Sequence, residues 1–576
     1  MNTETKICQN CKKDFTIKSE DFLFYEKIKV PAPTFCPECR LQRRLTFRNE
    51  RGLHRAICDL CNKNIISVIP NGELKVYCIS CWVSENWNVM EYGKNYDFSI
   101  PFFEQYKKLL REVPNRSLAG SSNTLINSEY TNMSGHLKDC YLLYGSENCT
   151  NCHYGSEIID SFDCIDCMMV TNSNFCFNSL NCQRCSRANN CIDCRDSLNI
   201  YYSRNLSGCS YCFGCSNLNN KSYYIFNKQY KKEDYLLKIK ELEYGSFSRV
   251  LKNKYESEIH QIKFPKKFYH GLKNNNVSGD YVYNSKNSFN SFVTTGAEDC
   301  KYCFNLVMNS SKGCFDYSDW GANAENIYES QTCGNNVSDL KFSFFVGKNS
   351  MNVEYSGHCA NCQNIFGCLG LRNKQYCIFN KQYTKEEYYQ IRNKIVKHMD
   401  EMPYVDKKGN IYKYGEYFPI EISIFPYNNT TAQDIFPLTK NETTNNGYIW
   451  SDNIQRNYSV NIKAEDLLDN ITDTKEDILD KVIQCLNASE DEKNPNCTGA
   501  YKIIPAEFSF YKNENIPIPR YCPNCRYSKR FKNRNPIKLW HRSCMKEGCT
   551  NTFETSYSPD REEIIYCEKC YQQEIY

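Results

Sequence analysis

Residues 149–182, CTNCHYGSEIIDSFDCIDCMMVTNSNFCFNSLNC, belong to a stretch in which cysteine returns at a fixed spacing. Two series with a 15-residue step run through it: Cys149, Cys164, Ser179, Cys194 and Cys209, and Cys152, Cys167, Cys182, Ser197 and Cys212. A short fixed period with small residues, Asn and turn formers is typical of a β-solenoid, in which each turn stacks on the next. We therefore predict a coiled β-structure with turns of about 15 residues and very short strands.

The role of these central cysteines has two interpretations. A reduced thiol packs like a small hydrophobic side chain, and Asn tolerates the left-handed backbone of tight corners. Ser179 and Ser197 favour packing, because Ser fills the space of a Cys but breaks a metal site. Stacked CxxC pairs could instead bind further metal or an iron–sulfur cluster, and this alternative stays open.

A second duplication extends the solenoid prediction. The motif FGCSNLNNKSYYIFNKQY of residues 213–230 recurs as FGCLGLRNKQYCIFNKQY at 366–383. Each copy runs into an amphipathic stretch, for which we predict helices over about 231–244 and 384–399. The second helix has a capping box, because Thr384 is followed three residues later by Glu387.

The predicted domain order follows from these repeats. It comprises a double zinc module (1–90), a helical linker (91–118), solenoid A (119–230), an amphipathic helix and linker (231–275), solenoid B (276–383), a helix with a small α/β connector (384–484) and a second double zinc module (485–576). Within the connector we predict strands near 411–414 and 420–425 and a helix over 464–482.

The two ends of the chain are copies of each other: residues 11–49 and 497–535 align without a gap. Pairs of thiolates on tight turns supply the four ligands of a tetrahedral Zn²⁺ site, and sites without an open ligand position are structural. We predict about four structural Zn²⁺ ions. Their ligands are Cys8, Cys11, Cys36, Cys39, Cys58, Cys61, Cys78, Cys81, Cys485, Cys497, Cys522, Cys525, Cys544, Cys549, Cys567 and Cys570. Cys485 must reach across an insertion, because Asn494 occupies the position equivalent to Cys8.

The stretch from Ile7-Cys-x-x-Cys to Cys36-Pro-x-Cys-Arg40 resembles the probable zinc-ribbon, treble-clef-like family of small bacterial domains. The whole chain, with its Asn-Lys-Gln-Tyr repeat, is similar to uncharacterised Cys-rich proteins of candidate-phylum bacteria. The resemblance implies zinc and a cytoplasmic bacterial setting, and it implies no activity. It also implies that the second Cys pair opens a helix.

Two rows of arginines would lie on those helices: Arg40, Arg44 and Arg48, and Arg526, Arg530 and Arg534. Arginines four residues apart share a helix face, which suits phosphate contacts of RNA or DNA. Alternatively they neutralise the zinc–thiolate charge or form salt bridges to the connector. We expect His54 and His541, which precede Cys pairs, to be hydrogen-bonded rather than metal ligands.

The remaining features exclude more than they identify. The net charge is +4, and HExxH, P-loop, GxSxG and dinucleotide-binding motifs are absent from the sequence. The start lacks an apolar leader, and no apolar run is long enough for a membrane, so we expect a cytoplasmic protein. We expect Tyr223, Tyr224, Tyr388 and Tyr389 to pack rather than to stack on bases.

The predicted fold is mainly β with short helices: a duplicated central β-solenoid flanked by treble-clef or zinc-ribbon modules that pack together and close its ends. The function indicated is a non-enzymatic, zinc-binding scaffold with a protein partner rather than a small-molecule substrate. The alternatives are an RNA- or DNA-binding protein that uses the Arg rows, and a redox or metal-cluster enzyme that uses the central cysteines.

Overall fold

The computed structural model describes residues 2–70, 72, 74–242, 244–308, 310–322, 324–452, 459–488 and 494–575. The fold is mainly β, with two stretches of parallel β-solenoid at its centre and a cysteine-bearing module at each end. This confirms the predicted fold class. Among the described residues, no helix is both long enough and apolar enough to cross a lipid bilayer.

One turn of solenoid A takes 12 residues, not the predicted 15. Strands pair in parallel with the residue 12 positions later, as in Cys149↔Ser161 and Val170↔Cys182. A left-handed backbone conformation recurs at every third residue, for example at Asn148, Asn151 and Tyr154. Each turn therefore has four sides of three residues. Two inward residues 15 positions apart are separated by one turn and one further side, so the sequence period marked inward positions rather than the turn.

Solenoid A fills its interior with the residues that precede the corners by two positions. Thirteen of these are the cysteines from Cys140 to Cys215, all buried together with Ile158, Val170 and Ile200. Its strands are Leu125–Ile126, Thr131–Asn132, Gly135–Lys138, Leu143–Tyr144, Glu147–Thr150, Ser156–Phe162, Met168–Thr171, Leu180–Gln183, Ser186–Asn189, Leu198–Tyr201, Ser210–Phe213, Ser222–Ile225 and Lys228–Gln229.

Solenoid B is less regular than solenoid A. Its pairing step is 12 residues at Phe292↔Phe304, 14 at Phe304↔Ser318 and 13 at Tyr317↔Ser330. Its strands are Gly271–Leu272, Asn275–Tyr283, Lys286–Thr295, Phe304–Leu306, Phe315–Gly321, Tyr328–Gly334, Ser338–Lys341, Met351–Glu354, Gln363–Phe366, Gln375–Ile378 and Lys381–Gln382.

The repeated Ile-Phe-Asn-Lys-Gln-Tyr motif closes each solenoid. In both copies the last parallel strand folds back as an antiparallel hairpin. Asn227 and Asn380 adopt the left-handed conformation that this turn requires, and their side chains accept backbone N–H groups of Ser216 and Leu369 at 2.8 Å. The hairpins cover the exposed strand edge. The end of solenoid B also meets the expectation that an end module closes it, because Val89 and Met90 of the N-terminal module pack against its interior cluster. The end of solenoid A does not, since helix Phe247–Gln261 covers it there and the ring of His260 lies 5.4 Å from that of Phe226.

The helices include the two that the sequence predicts, one after each solenoid. The capping box of Thr384 and Glu387 is present, and that helix spans Lys385–Glu401. The α-helices are Ser19–Lys27, Pro37–Leu45, Ile79–Val83, Phe102–Glu112, Lys232–Glu241, Phe247–Gln261, Lys385–Glu401, Thr431–Ile435, Lys440–Asn445, Pro505–Asn513, Pro523–Phe531 and Glu568–Ile575. The short strand pairs are Glu4–Ile7 with Asp14–Ile17, His54–Ile57 with Asn64–Ser67, Val76–Tyr77 with Asn115–Arg116, Lys266–Lys267 with Ile565–Tyr566, Tyr404–Val405 with Ile411–Tyr412, Ile483–Gln484 with Ala500–Tyr501, and Trp540–Ser543 with Thr552–Thr555.

The connector departs from its prediction in two places. The expected strand at 420–425 is a 3₁₀ turn, Ile420–Ile422, between two prolines that cannot donate to a β-ladder. The expected helix over 464–482 is a series of 3₁₀ turns, Ala464–Asp466, Ile471–Asp473 and Glu476–Asp480. Asn470 accepts the backbone N–H of Thr472, so its side chain competes with helical hydrogen bonding.

The end modules dock crosswise on the flanks of the solenoids. The N-terminal module packs on solenoid B, where Arg44 lies 3.1 Å from Asp316. The C-terminal module packs on solenoid A, where Arg530 lies 2.8 Å from Asp166. The modules also contact each other, because the guanidinium of Arg51 lies 3.2 Å from the ring centroid of Tyr527.

Candidate metal centres

The predicted ligands come together in four separate groups of four thiols. Within each group the sulfur atoms all lie within 4.8 Å of one another. The groups are Cys8, Cys11, Cys36 and Cys39; Cys58, Cys61, Cys78 and Cys81; Cys485, Cys497, Cys522 and Cys525; and Cys544, Cys549, Cys567 and Cys570.

Each group is assembled by a short hairpin or turn and the start of a helix. In the first, Cys8 follows strand Glu4–Ile7, Cys11 lies in the turn, and Lys12 takes a left-handed conformation there. Cys36 is the N-cap of helix Pro37–Leu45, which places Cys39 in its first turn. The second group repeats this plan with strands His54–Ile57 and Asn64–Ser67 and a short helix after Cys78.

Cys485 completes the third group despite the insertion that precedes Cys497. Strand Ile483–Gln484 pairs with Ala500–Tyr501 and carries Cys485 to the helix that starts at Pro523. The backbone N–H of Cys522 donates to the Sγ of Cys485 at 3.2 Å. Asn494, which replaces a ligand in the sequence alignment, lies with its amide 3.8 Å from the Sγ of Cys525.

The sulfur spacing fits zinc. A tetrahedral ion with Zn–S bonds of 2.3 Å holds its sulfurs about 3.8 Å apart. The sulfurs of Cys11 and Cys36 are 3.7 Å apart, those of Cys61 and Cys78 3.9 Å, those of Cys497 and Cys522 4.0 Å. In the fourth group, Cys549 and Cys567 are 3.9 Å apart.

In two of the groups, the surroundings of one thiol favour its deprotonated form. The pKa of Cys58 is lowered to about 6, because backbone hydrogen bonds from Cys78, Cys61 and Leu60 outweigh the effect of burial. The pKa of Cys567 is likewise lowered to about 6, because the side-chain amide of Asn551 and the backbone N–H of Cys570 outweigh burial. A thiolate is the form that binds metal.

These groups are suited to structure rather than catalysis. Each offers four sulfur ligands, which closes a tetrahedral site and leaves no position for water or substrate. The two histidines near the Cys pairs take no part: the ring of His541 lies 3.0 Å from Glu554, and the ring of His54 lies 3.4 Å from the amide of Asn429.

Most of the arginines in the two rows are buried, whereas phosphate binding requires exposed guanidinium groups. Arg40, Arg44, Arg48, Arg526 and Arg530 are all buried, with at most 8% of each residue exposed. Their partners are carboxylates of the solenoids and of their own module: Asp316, Glu329, Asp319, Glu50, Asp166 and Glu507. Arg534 is half-buried, with its guanidinium 5.3 Å from the ring of Phe531. Five of the six are therefore shielded from a polyanion, and the structural interpretation is the correct one for them.

The two rows are equivalent in their docking. Arg40 lies over the ring of Tyr302 and contacts Asp316, and Arg526 lies over Tyr154 and contacts Asp166. The carboxylates that anchor the modules were missed in the sequence, because nothing distinguishes them from the many corner Asp and Asn residues of the solenoids.

The central cysteines pack as an ordered ladder. Each buried thiol donates to a carbonyl two residues earlier, and most also reach a carbonyl of the next turn, as Cys191 does to Asn189 (3.4 Å) and Ile200 (3.3 Å). Within the described residues, none of them belongs to a group that could hold a metal ion. Their pKa values are mostly raised, since burial disfavours the thiolate, as at Cys333 with a pKa of about 12.

Replacing Cys191 by Ser should cost at most about 1 kcal/mol of unfolding free energy. Ser179, one turn earlier in the same column, already places its hydroxyl 3.0 Å from the same two kinds of carbonyl, those of Phe177 and Ala188. The metal content of the variant should equal that of the unchanged protein. Urea unfolding and elemental analysis test this, and loss of a bound metal would show that the ladder ligates rather than packs.

Comparison with known proteins adds little. No family model and no curated protein matches the chain. Among solved structures, the chain is similar to a candidate acetyltransferase from Desulfovibrio desulfuricans G20, with 12% identity over 40% of this chain and 63% of that chain. The chain thus covers less than two thirds of that protein's length. The TM-score is 0.10, so this likeness carries no argument about fold or activity.

Proposed function

We propose that the chain is a zinc-stabilised, non-enzymatic scaffold that binds a protein partner on an uncovered face of solenoid A. The observation that carries the proposal is the contrast between its surfaces. The flanks of the solenoids are covered by the end modules through buried ion pairs, and the closed thiol groups fix those modules in place. One column of solenoid A remains open and carries apolar side chains.

This open column is the series of positions 126, 138, 150, 162, 174, 186 and 198, one per turn. Ile126, Phe162 and Leu198 are 56%, 44% and 39% exposed, and they recur every third turn. Because neighbouring parallel strands lie about 4.8 Å apart, these side chains are spaced by about 14 Å. Apolar side chains exposed singly are common on protein surfaces. The feature that favours a binding face here is their fixed repeat along one column of a rigid scaffold.

A polar column runs beside the open column and stiffens it. The amide of Asn148 donates to Asp160 at 2.7 Å, and Arg184 pairs with Asp196 one turn later. The ring centroids of Phe175 and Phe162 are 5.8 Å apart, and the guanidinium of Arg187 lies 4.9 Å from the ring centroid of Phe175. The apolar side chains are thus held on a rigid surface, which lowers the entropy cost of binding.

The double variant Phe162→Asp/Leu198→Asp should lose its protein partner. Burial of each side chain contributes at least about 1.5 kcal/mol, so binding should weaken roughly a hundredfold. The measurement is chemical crosslinking in an extract of the source cells, followed by mass spectrometry. We expect a defined set of crosslinked proteins with the unchanged chain and its loss in the double variant.

The matched control is Leu237→Asp, since Leu237 is 62% exposed on helix Lys232–Glu241, away from the open column. The Leu237→Asp variant should retain the whole set of crosslinked proteins. Identical sets for all three chains, with equal circular dichroism spectra, would contradict the proposal.

A further inference from the structure

A cavity of about 440 Å³ lies where three parts of the chain meet. Its walls come from the later turns of solenoid A, the first strands of solenoid B and helix Glu568–Ile575 of the C-terminal module. The parts are held together by strand Lys266–Lys267, which pairs with Ile565–Tyr566. In addition, the amide of Asn217 donates to the carbonyl of Pro265 at 2.7 Å. The volume is within the range of about 300–1,000 Å³ that small-molecule sites occupy.

The lining of the cavity is rich in positive charge. Its basic side chains are Arg195, Arg204, Lys266, Lys267 and His270, and its carboxylates are Asp193 and Glu568. His270 lies 2.9 Å from Asp280 and 3.3 Å from Asp193. Although burial lowers the pKa of His270, these carboxylates raise it well above its usual value. The charge of this imidazolium is balanced by the two carboxylates, so the positive charge of the lining comes from its arginines and lysines.

The carboxylates near the cavity are already engaged. Asp193 contacts both His270 and Arg204, while Glu568 pairs with Lys267 at 2.7 Å. Lys266 pairs with Glu563 at 3.0 Å, yet its pKa is lowered to about 8, because burial and the charge of Arg204 outweigh that carboxylate. Positive charge is thus crowded at this end of the cavity.

Arg195 is the clearest unmatched charge. Its Nε donates to the hydroxyl of Ser207 at 3.1 Å. Throughout the part of the chain that the structure describes, no carboxylate is in ion-pair contact with it, although it lines the cavity. A guanidinium without an ion-pair partner, in a cavity that Lys266 and Lys267 also line, suits a phosphate group.

The other walls suit a flat polar ring. Tyr269, Tyr283, Tyr557 and Tyr571 contribute aromatic surface. The side-chain amides of Asn181, Gln183 and Gln572 also line the cavity. That of Asn181 donates to Asp193 at 2.9 Å and that of Gln572 to Glu568 at 2.8 Å, so the amide of Gln183 is the one placed to meet a ring nitrogen or oxygen. Aromatic faces together with a few amides are the usual means of binding a planar base.

We propose that this cavity binds a small phosphate ester that carries a planar ring, the class to which mononucleotides belong. The phosphate lies against Arg195 and Lys267, and the ring lies between the tyrosines. The proposal is independent of the protein-binding face, which is on another surface of solenoid A.

Isothermal titration calorimetry of the full-length, zinc-loaded chain tests the proposal with AMP, GMP, CMP and UMP as probes. We expect at least one to bind with a Kd below about 1 mM, and inorganic phosphate to bind at least about tenfold more weakly. Arg195→Ala and Lys267→Gln should each weaken the bound nucleotide about tenfold, through the loss of a charge-assisted contact. Tyr269→Leu should weaken the nucleotide but leave phosphate binding unchanged.

The matched control is Arg184→Ala, because Arg184 belongs to the same solenoid and pairs with Asp196 outside the cavity. Its affinity should equal that of the unchanged chain. The proposal is overturned if no nucleotide binds, if Arg195→Ala binds as well as Arg184→Ala, or if only a single-stranded oligonucleotide binds.

Discussion

Replacing Cys522 by Ser is expected to remove one zinc ion of four and to unfold the part of the C-terminal module that carries the third thiol group. Cys522 belongs to the third thiol group and is the N-cap of helix Pro523–Phe531. That helix carries Arg526 and Arg530, which anchor the module on Asp166 of solenoid A. A structural zinc contributes about 10–16 kcal/mol of apparent folding free energy. Because whole domains are stable by only about 5–15 kcal/mol, this part of the module should not stay folded without its ion.

Elemental analysis or native mass spectrometry measures the zinc content. Limited proteolysis measures unfolding, through the cleavage sites that appear C-terminal to the connector. We expect about three zinc ions per chain and rapid cleavage within residues 494–535, while the part that carries the fourth thiol group keeps its ion and stays protected. A chelator that removes all the metal should extend this cleavage to the N-terminal module and leave the solenoids protected longest.

The matched control is Cys182→Ser, which changes a buried thiol of the ladder instead of a ligand. It should keep four zinc ions and the protease resistance of the unchanged chain. If Cys522→Ser kept the same zinc content and the same cleavage pattern, the thiol groups would not be structural metal sites.

The sequence predicted the solenoid but not its turn, for a physical reason. Inward side chains occur at every third residue, so 12 and 15 are both multiples that keep a cysteine inside. Only backbone pairing distinguishes them, as in Ile158↔Val170. Cysteine spacing records which residues are buried, whereas the number of sides per turn depends on where the backbone turns left-handed.

The thiol groups were predictable because their ligands are close in sequence and chemically specific. The docking of the modules was not, since it depends on carboxylates such as Asp166 and Glu329 that lie hundreds of residues from their arginines. The rows that looked like a phosphate-binding surface are an interface inside the chain. The cavity was hidden for a similar reason, because its walls come from three distant segments and no short motif joins them.

The variant Arg44→Met should detach the N-terminal module from solenoid B. Arg44 is fully buried, lies 3.1 Å from Asp316 and 3.2 Å from Glu329, and donates to the hydroxyl of Ser318. Its cluster balances three arginines, Arg40, Arg43 and Arg44, against three carboxylates, Asp316, Glu329 and Glu416. Removal of one partner of a buried ion pair leaves an uncompensated charge and costs about 3–5 kcal/mol.

The stability lost in Arg44→Met should depend on pH in a defined direction. The pKa of Glu329 is already raised, because burial outweighs the attraction of Arg43 and Arg44. Without Arg44 the pKa of Glu329 should rise further. An acid whose pKa is raised in the folded state loses stability as the pH increases through that pKa, so the deficit should be smaller near about pH 5 than near about pH 8. Hydrogen–deuterium exchange of helix Pro37–Leu45 measures the local free energy of opening at both pH values.

Two matched variants separate charge balance from packing. Arg44→Met/Glu329→Gln removes one charge of each sign, so two arginines face two carboxylates and most of the lost protection should return. Arg184→Ala breaks an exposed ion pair, in which Arg184 is 56% exposed, and should change stability by less than about 1 kcal/mol. If the double variant opened as readily as Arg44→Met, the shape of the arginine rather than its charge would hold the module on the solenoid. If Arg44→Met exchanged no faster than Arg184→Ala, the buried cluster would not fix the module at all.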